Sequence, residues 1–459
     1  MNDLKQQKGS GLALFPFLIF IVVYMGSGLI LQAQGVEMAF YQFPATVSAL
    51  VAIIVAFIMF KGSIDEKFNT FLKGAGNEDI IIMCFIFILA GAFSTVAGAM
   101  GGVESSVNFA LSIIPPQYIT AGIFIIACFI SLATGTSVGT IVAVGPIAVG
   151  LAEKGGLNLA LVIASLVGGS MFGDNLSVIS DTTIAATRTQ GCEMRDKFRL
   201  NLMIALPAAI GTVILLLIFG KPVNVVEASS YTYNIVKMLP YILVLVASLI
   251  GVNVFVVLTA GILSSGIIGL VYGDLTLVSL AQNINGGFNG MFELVILSLL
   301  IGGLAQMINQ AGGIEWILVK VKSMIRGRKS AEIGIAALVS LVDMATANNT
   351  IAIIISGPIA KEICNEYKVD PRRSASLLDS FSCVMQGMIP YGGQLLIAVG
   401  FTNGALSVVD IMPLLWYQML LAVFAIVSIY IPFTDGVIRK DPWNFEHDKP
   451  MSKLAGNIK

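Results

Sequence analysis

The chain has 459 residues, of which 56% are hydrophobic and only 12% are charged, and its formal net charge is −1. A soluble domain of this size would need far more charged surface, so the composition assigns the chain to a lipid bilayer. No basic face or arginine-rich arm predicts contact with nucleic acid. The five cysteines are scattered and show no C-x-x-C spacing, so neither a zinc site nor a disulfide framework is expected.

Apolar runs long enough to cross a membrane recur along the chain. Two further apolar segments, 118–151 and 331–360, are interrupted by small polar residues, and each is either a re-entrant hairpin or a pair of short crossings. The first run follows Lys5 and Lys8, lacks a convincing cleavage site and is interpreted as a retained helix. A crossing needs roughly 20 apolar residues, and about ten runs meet that length. They lie at about 12–32, 43–60, 79–102, 159–187, 200–220, 238–253, 255–272, 290–310, 374–400 and 412–433.

Basic residues set the predicted orientation of these crossings. If the N-terminus is cytoplasmic, the outside loops keep only Lys154, Lys221 and Lys237 of the 26 Lys and Arg. All others, Lys197 in the loop 188–199 among them, then fall on the inside, as the positive-inside rule requires. We therefore expect both termini in the cytoplasm and a multi-pass protein of the bacterial cytoplasmic (inner) membrane.

The chain also matches itself at a shift of about 211 residues. Residues 101–104 fall on 312–315, and at nearly the same shift 145–148 fall on 357–360. Each half would hold five crossings, one interrupted hairpin and one broken helix, and the odd number of crossings turns the second half upside down. Inverted repeats with broken helices are typical of secondary transporters, whose binding site lies where the repeats meet. The predicted parts are a first repeat at 12–220, an outside connecting loop at 221–237, a second repeat at 238–433 and a polar cytoplasmic tail at 434–459.

Polar residues at membrane depth persist only where protein buries them or where they line a wet cavity. The hairpins carry such clusters at 134–140 and 346–350, and two crossings carry them at 172–183 and 386–394. Small hydroxyl and amide side chains beside glycine leave oxygen atoms free to bind Na⁺. In the last cluster Pro390 removes a backbone donor, so an unwound stretch is expected. A simple kink between packed helices is the alternative for the two crossings.

Carboxylates give the predicted site its negative charge. Asp174, Asp181, Asp343 and Asp379 lie in apolar segments, whereas no Lys or Arg is expected well inside a crossing. An ionised carboxylate at the bilayer centre costs at least ~2.5 kcal/mol, so a proton or a bound cation must neutralise it. The two can compete for one site, which is the basis of cation/proton exchange. Asp174 and Asp181 are the first candidates, and for the other two a helix cap or a hydrogen bond to a neighbour is the alternative.

One apparent enzyme motif is dismissed on chemical grounds. Residues 135–139 match the G-x-S-x-G pattern of serine hydrolases, but the sole histidine, His447, lies in the polar tail. A serine nucleophile needs a nearby base, so we predict no enzyme and no catalytic residue.

Several polar motifs resemble a known family. Residues 135–140, the run Phe172-Gly173-Asp174 and the run Ser180-Asp181-Thr182-Thr183 are similar to the signature of the NhaC family of Na⁺/H⁺ antiporters, within the wider ion transporter superfamily. The resemblance spans about 80–400 and implies that hairpin tips and broken helices of both repeats form the Na⁺ and substrate sites. Two departures are Asn175-Leu176-Ser177, where the family has Lys-Met-Ser, and an Asn in place of Ser in the second hairpin tip.

We therefore expect Na⁺/H⁺ exchange by alternating access, with Na⁺ at Asp174 and Asp181 and no cofactor beyond this transported or coupling ion. The alternative is a Na⁺- or H⁺-coupled transporter or exchanger of an amino acid or a small organic acid. The expected partners are the bilayer, Na⁺ and H⁺, and the oligomeric state stays open, a homodimer included. The remaining candidate ligands are Asn175, Ser177, Thr182, Thr136, Ser137 and Thr140 in the first repeat, and Asn348, Asn349, Thr350, Asp343, Asp379 and Gln394 in the second.

Overall fold

The computed structural model of the chain is almost entirely helical. Of the predicted features, Lys5 and Lys8 and most of the connecting loop lie outside the described residues. The described residues are 9–34, 36, 42–178, 180–222, 232–250 and 252–455.

The first half of the chain begins with a 3₁₀ turn at Gly11–Leu14 and continues through ten α-helices. One of them, the amphipathic helix α3, starts with a capping box in which Ser63 and Glu66 exchange hydrogen bonds. The ten helices are α1 (Phe15–Ala33), α2 (Ala45–Met59), α3 (Ile64–Ala75), α4 (Glu78–Ala99), α5 (Gly102–Ile113), α6 (Ile119–Thr134), α7 (Ser137–Lys154), α8 (Leu159–Leu176), α9 (Asp181–Gln190) and α10 (Met194–Phe219).

The second half runs through helices of similar order. They are α11 (Ile235–Leu249), α12 (Val254–Tyr272), α13 (Leu277–Gln310), α14 (Gly313–Ser323), α15 (Arg328–Thr346), α16 (Asn349–Tyr367), α17 (Pro371–Gln386), α18 (Gly393–Gly400), α19 (Val408–Ile411) and α20 (Trp416–Tyr430).

The polar tail folds back onto the membrane helices. It holds the short helices α21 (Gly436–Lys440) and α22 (Met451–Ala455), with a two-stranded antiparallel ribbon of β1 (Trp443–Asn444) and β2 (Lys449–Pro450) between them. The structure is mostly helical, as predicted, and this short ribbon lies in the tail. Asp448 forms an ion pair with Lys361, and Lys453 forms one with Glu193.

Both predicted interruptions of the hairpins are confirmed. α6 ends at Gly135, which has a left-handed φ of 71°, and the Thr136 side chain caps α7 by accepting a hydrogen bond from Gly139. α15 ends in the same way at Ala347, with a φ of 52°, and the Asn348 side chain caps α16. The four helices are 16, 18, 19 and 19 residues long, so each arm is close to the length of a crossing.

The two predicted helix breaks are also confirmed. The crossing expected at 159–187 is interrupted between α8 and α9, and the one expected at 374–400 is interrupted between α17 and α18. A smooth kink would keep one continuous helix, whereas here one helix ends and a separate helix begins several residues later in both places. The kink alternative is therefore wrong at both positions.

Among the described residues, eight helices are long and apolar enough to span a membrane, or nine if the bent pair Val408–Leu414 and Trp416–Tyr430 is one span. Seven of the ten predicted crossings correspond to these, and Ala45–Met59 and Ile235–Ala247 are shorter apolar helices. The prediction at 374–400 does not meet the same test. The multi-pass membrane class is thus confirmed, whereas the inversion of the repeats and the side of each terminus stay predictions.

The helices form two packed groups. α1 to α4 pack with α11, α12 and α13, and the closest pairing in this group joins α4 to α13. α6 to α10 pack with α15 to α20, and here the broken helices α8–α9 and α17–α18 lie beside each other and beside both hairpins. The polar clusters of the sequence all belong to this second group.

Candidate functional site

Asp174 lies in the last turn of α8, immediately before the first helix break. Its side chain is only 5% exposed. One carboxylate oxygen, Oδ2, accepts a hydrogen bond of 2.8 Å from Ser137, and the other, Oδ1, accepts one of 2.6 Å from Ser180. Both donors are neutral hydroxyls, so no hydrogen-bonded group cancels the charge of this carboxylate.

A chain of hydrogen bonds links Asp174 to the second broken helix. The Ser137 hydroxyl, which donates to Asp174, accepts a bond of 3.1 Å from Nε2 of Gln394. Oε1 of Gln394 in turn accepts a bond of 2.8 Å from Nε2 of Gln386. Gln386 ends α17 and Gln394 begins α18, so both sides of the second break contact the tip of the first hairpin.

A cavity of about 250 Å³ opens beside this chain. Asp181 is exposed and lines it, as the first residue of α9. Asp174 does not line this cavity and connects to it only through Ser137 and Gln394. Asp174 is buried at the end of α8, whereas Asp181 is exposed at the start of α9, so the two side chains do not line this cavity together. The other polar lining residues are Thr136, Ser298, Thr346, Asn348, Asn349, Thr350, Gln386, Tyr391 and Gln394.

Asp379 belongs to a second, more compact cluster. Its Oδ2 atom lies 2.7 Å from Nζ of Lys197 and accepts bonds of 2.8 Å from both Asn175 and Asn201. Asp379 and Lys197 are both 0% exposed. Lys197, which the sequence places in the loop 188–199, is instead the fourth residue of α10, at the start of that crossing.

Sequence reasoning missed Lys197 and Asn201. Both lie on α10, four residues apart and hence on one helix face, in the polar first turns of a helix that is apolar further on. The spacing of four residues is the sequence feature that could have identified this pair. Because Lys197 stands three residues from the start of α10 and follows a basic loop, it resembles the residues that only set orientation.

Asp343 has a different environment from the other buried acids. It is 0% exposed in the last turns of α15, and neither carboxylate oxygen has a hydrogen-bond partner among the described residues. The capping alternative is wrong for Asp343 and for Asp379, because both stand inside helices rather than at their N-termini. Nearby, the Tyr391 hydroxyl donates to the carbonyl of Met344 over 2.7 Å, which anchors the second break to the same helix.

Several of the remaining predicted ligands form hydrogen bonds with backbone carbonyl groups near the first break. Thr140 is buried and donates to the carbonyl of Thr136, and the carbonyl of Ser177 accepts from Thr183. Thr182 exchanges a hydrogen bond of 2.9 Å with Ser180. The structure therefore gathers the first-half candidates around the first break, and places those of the second hairpin tip across the cavity from Asp181.

The chemistry offered is that of a site for a small hard cation. Hydroxyl, amide and carboxylate oxygens dominate, and these are the ligands that such ions prefer. Throughout the part of the chain that is described, no three His, Cys, Asp or Glu side chains come close enough to bind a metal ion. Asp174 has neutral hydrogen-bond donors, whereas Asp379 is paired with Lys197.

The fold and this site define a multi-pass membrane transporter with a buried acidic site between broken helices. A family model described as the Na⁺/H⁺ antiporter family matches residues 8–221 and 223–434, so the chain belongs to the Na⁺/H⁺ antiporter family. The resemblance to NhaC proteins that the sequence motifs indicate is confirmed.

Known relatives fall in the same class. The Na⁺/H⁺ antiporter NhaC of Bacillus subtilis is 26% identical over 392 residues, which cover 78% of this chain and 84% of that protein. The malate-2H⁺/Na⁺-lactate antiporter of Bacillus subtilis is 21% identical over 452 residues, 90% of this chain and 95% of that protein. Among solved structures, the YdaH transporter of Alcanivorax borkumensis aligns over 92% of this chain and 98% of its own, at 13% identity and a TM-score of 0.39. The two Bacillus subtilis relatives are antiporters by name, which points to a transporter and not to an enzyme.

Proposed function

We propose that the protein exchanges Na⁺ for H⁺ across the bacterial cytoplasmic membrane, with Asp174 as the carboxylate for which the two ions compete. The observation that carries this proposal is the burial of Asp174 among neutral hydroxyl donors. An ionised carboxylate in that position needs a mobile positive partner, because burial without a partner is costly. Na⁺ and H⁺ then exclude each other at one group, which couples their movements.

Neighbouring oxygens complete the proposed Na⁺ site. The hydroxyls of Ser137 and Ser180 contact Asp174 directly, and each can rotate its hydrogen away to present a lone pair to an ion. Thr182 lies one hydrogen bond further out. In the proton-bound state the same hydroxyls accept or donate as needed, so both loaded states are satisfied.

Alternating access would use the break and the cavity. The cavity, with Asp181 at its wall, gives an ion an approach from one side of the membrane, and Ser137 and Gln394 separate it from Asp174. The carboxylate of Asp181 would attract cations into the cavity, in keeping with its exposure. Movement of the second helix group relative to the first would then open Asp174 to the other side.

The test is proton movement in proteoliposomes that contain the purified full chain. Asp174→Asn keeps the shape and one acceptor oxygen but removes the charge, so Na⁺-driven proton movement should fall at least about tenfold, which corresponds to ~1.4 kcal/mol. Dye-reported pH change after a Na⁺ pulse measures it. Asp274→Asn is the matched control, because Asp274 pairs with Lys237 at the far end of α12 and should exchange normally. Unchanged exchange in the Asp174 variant would remove this residue from the mechanism.

A second candidate function is exchange that includes a small organic anion. Three observations favour it: the cavity of about 250 Å³ exceeds what one bare ion fills, the N-terminus of the long helix α16 faces it through Asn348 and Thr350, and Nδ2 of Asn349 has no hydrogen-bond partner there. A helix N-terminus with a free amide donor suits a carboxylate. Uptake of labelled lactate and malate into the same proteoliposomes, with and without a Na⁺ gradient, would separate this candidate from simple Na⁺/H⁺ exchange.

A further inference from the structure

Lys197 is held by three oxygen atoms and has no contact with solvent. Its ammonium nitrogen lies 2.7 Å from Asp379, 2.6 Å from the hydroxyl of Thr183 and 2.5 Å from the backbone carbonyl of Asn175. An ammonium group has three donors, so its hydrogen-bonding capacity is fully used. This lysine is a fixed part of the site and is not a side chain that entered from a loop.

The three contacts connect both sides of the first helix break. The carbonyl of Asn175 belongs to the last turn of α8, where the negative end of the helix is exposed. Thr183 belongs to the first turn of α9, and Asp379 belongs to α17 of the other half. One side chain from α10 therefore ties together the two half-helices and the second broken helix.

The surroundings of Lys197 carry more acceptors than donors. Three buried oxygen atoms have no hydrogen-bond partner: Oδ1 of Asp379, of Asn175 and of Asn201. Each belongs to a residue already bonded to Oδ2 of Asp379 or to that carboxylate itself. The pocket is thus strongly electronegative, and the ammonium group is its sole positive charge among the described residues.

We propose that Lys197 is a positioning residue that cancels the charge of Asp379 and thereby leaves Asp174 as the single buried carboxylate at the first break whose charge is uncompensated. This inference rests on the proposed function. With Lys197 in place, the two aspartates and one lysine sum to one negative charge, which a single monovalent cation neutralises. Without it, the same oxygen-rich pocket becomes a second attractive place for a cation.

Replacement of Lys197 should change Na⁺ affinity in the direction opposite to that expected for loss of a purely structural residue. Loss of a structural residue weakens ligand binding, whereas loss of Lys197 adds an uncompensated negative charge close to Asp174 and should strengthen Na⁺ binding. Na⁺ binding is measured as the Na⁺-dependent rise in melting temperature of the detergent-purified full chain, with choline as the reference cation.

Four variants separate charge from packing. Lys197→Met removes the positive charge and should lower the half-stabilising Na⁺ concentration at least about fivefold. Lys197→Arg keeps the charge, and Lys197→Met combined with Asp379→Asn removes both charges, so both should stay within about twofold of the unchanged protein. Arg372→Met breaks another buried ion pair, to Asp370, and should lower the melting temperature without moving the Na⁺ midpoint.

Two results would overturn the inference. One is a Lys197→Met midpoint that is unchanged or raised, and the other is a double variant that fails to bring the midpoint back. If Lys197→Met does not fold, the Lys197→Arg variant and the double variant test the inference. A half-stabilising Na⁺ concentration shifted by more than about fivefold in either one would show that charge cancellation by Lys197 does not set the Na⁺ affinity. The proposed function fails separately, through absence of Na⁺-driven proton movement by the unchanged protein, because the melting series requires no transport.

Discussion

The turns of the two hairpins place one residue each in the left-handed region, Gly135 in the first and Ala347 in the second. A cap follows at once in both, from Thr136 and from Asn348, and each accepts a hydrogen bond from the backbone amide three residues further on. Glycine adopts this conformation freely, whereas alanine pays a steric cost. The two turns therefore have the same backbone conformation, but only the first has a residue, Gly135, that adopts it without a steric cost.

The side chains around these turns differ more than the backbone. After the first turn, Ser137 reaches Asp174, and the acid is hydrogen bonded through both oxygens. Before the second turn, Asp343 has no side-chain hydrogen-bond donor among the described residues. The comparison shows that one architecture can hold acids in two electrostatic settings, and that the arrangement of donors decides which acid has a defined role.

The largest effect is expected at the contact that brings the first broken helix against its hairpin. A Cβ atom on Gly173 would lie 2.3 Å from the backbone nitrogen of Leu132, so Gly173→Ala must push α8 away from α6. We expect a loss of about 3 kcal/mol in stability, seen as a fall in melting temperature by fluorescence-detected gel filtration.

Gly122→Ala is the control for this substitution. Gly122 lies in the same helix pair, on α6, and a Cβ there would meet no atom within 4 Å. This variant should be unchanged or more stable by about 0.5–1 kcal/mol, since alanine favours the helix. Equal melting temperatures for the two variants would contradict the close packing of α8 on α6.

A smaller effect is expected at Asp343, which is 0% exposed. Asp343→Asn keeps the shape but removes a carboxylate whose charge is costly to bury, so the variant should be more stable than the unchanged protein by about 1–2 kcal/mol. Thermal unfolding measures the difference.

Asp174→Asn sharpens that test, because its carboxylate is already hydrogen bonded by Ser137 and Ser180. This variant should gain less stability than Asp343→Asn. Equal gains in the two variants would show that the difference in hydrogen bonding between the two acids has no energetic weight.

The smallest effect is expected in the turns themselves. Ala347→Gly should stabilise the protein by about 0.5–1 kcal/mol, because it relieves a left-handed alanine, and Gly135→Ala should destabilise it by about 1 kcal/mol. Thermal unfolding of both variants gives the two values. Changes of the same sign would mean that the turns do not share a conformation in solution.

Much of this fold follows from local chemistry. Gly135 and Pro390 mark interruptions that backbone preferences alone predict, and Asp174 stands out as an acid in an apolar run. Helix ends are harder to place. α13 begins at Leu277, well before the expected 290, because Thr276 caps it and its polar first turns are tolerated.

Tertiary proximity is beyond a single sequence. Nothing in the order of residues places α10 beside α17, so the pairing of Lys197 with Asp379 has no local signal beyond the spacing to Asn201. The same holds for Asp181, which looks equivalent to Asp174 in the sequence, although only Asp181 lines the cavity. Periodicity predicts that polar residues are buried, but only the packed structure decides which of them meet.

The folded tail supplies an optical reporter for the site. Trp443, one of three tryptophans in the chain, is 7% exposed and lies over the charged groups of Lys361 and Arg372 at 5.1 and 5.7 Å. These residues belong to α16 and α17, the helices whose other ends form the second hairpin tip and the second break. With Trp316 and Trp416 replaced by Phe, the emission of this indole would follow displacement of those helices in real time, without an attached dye.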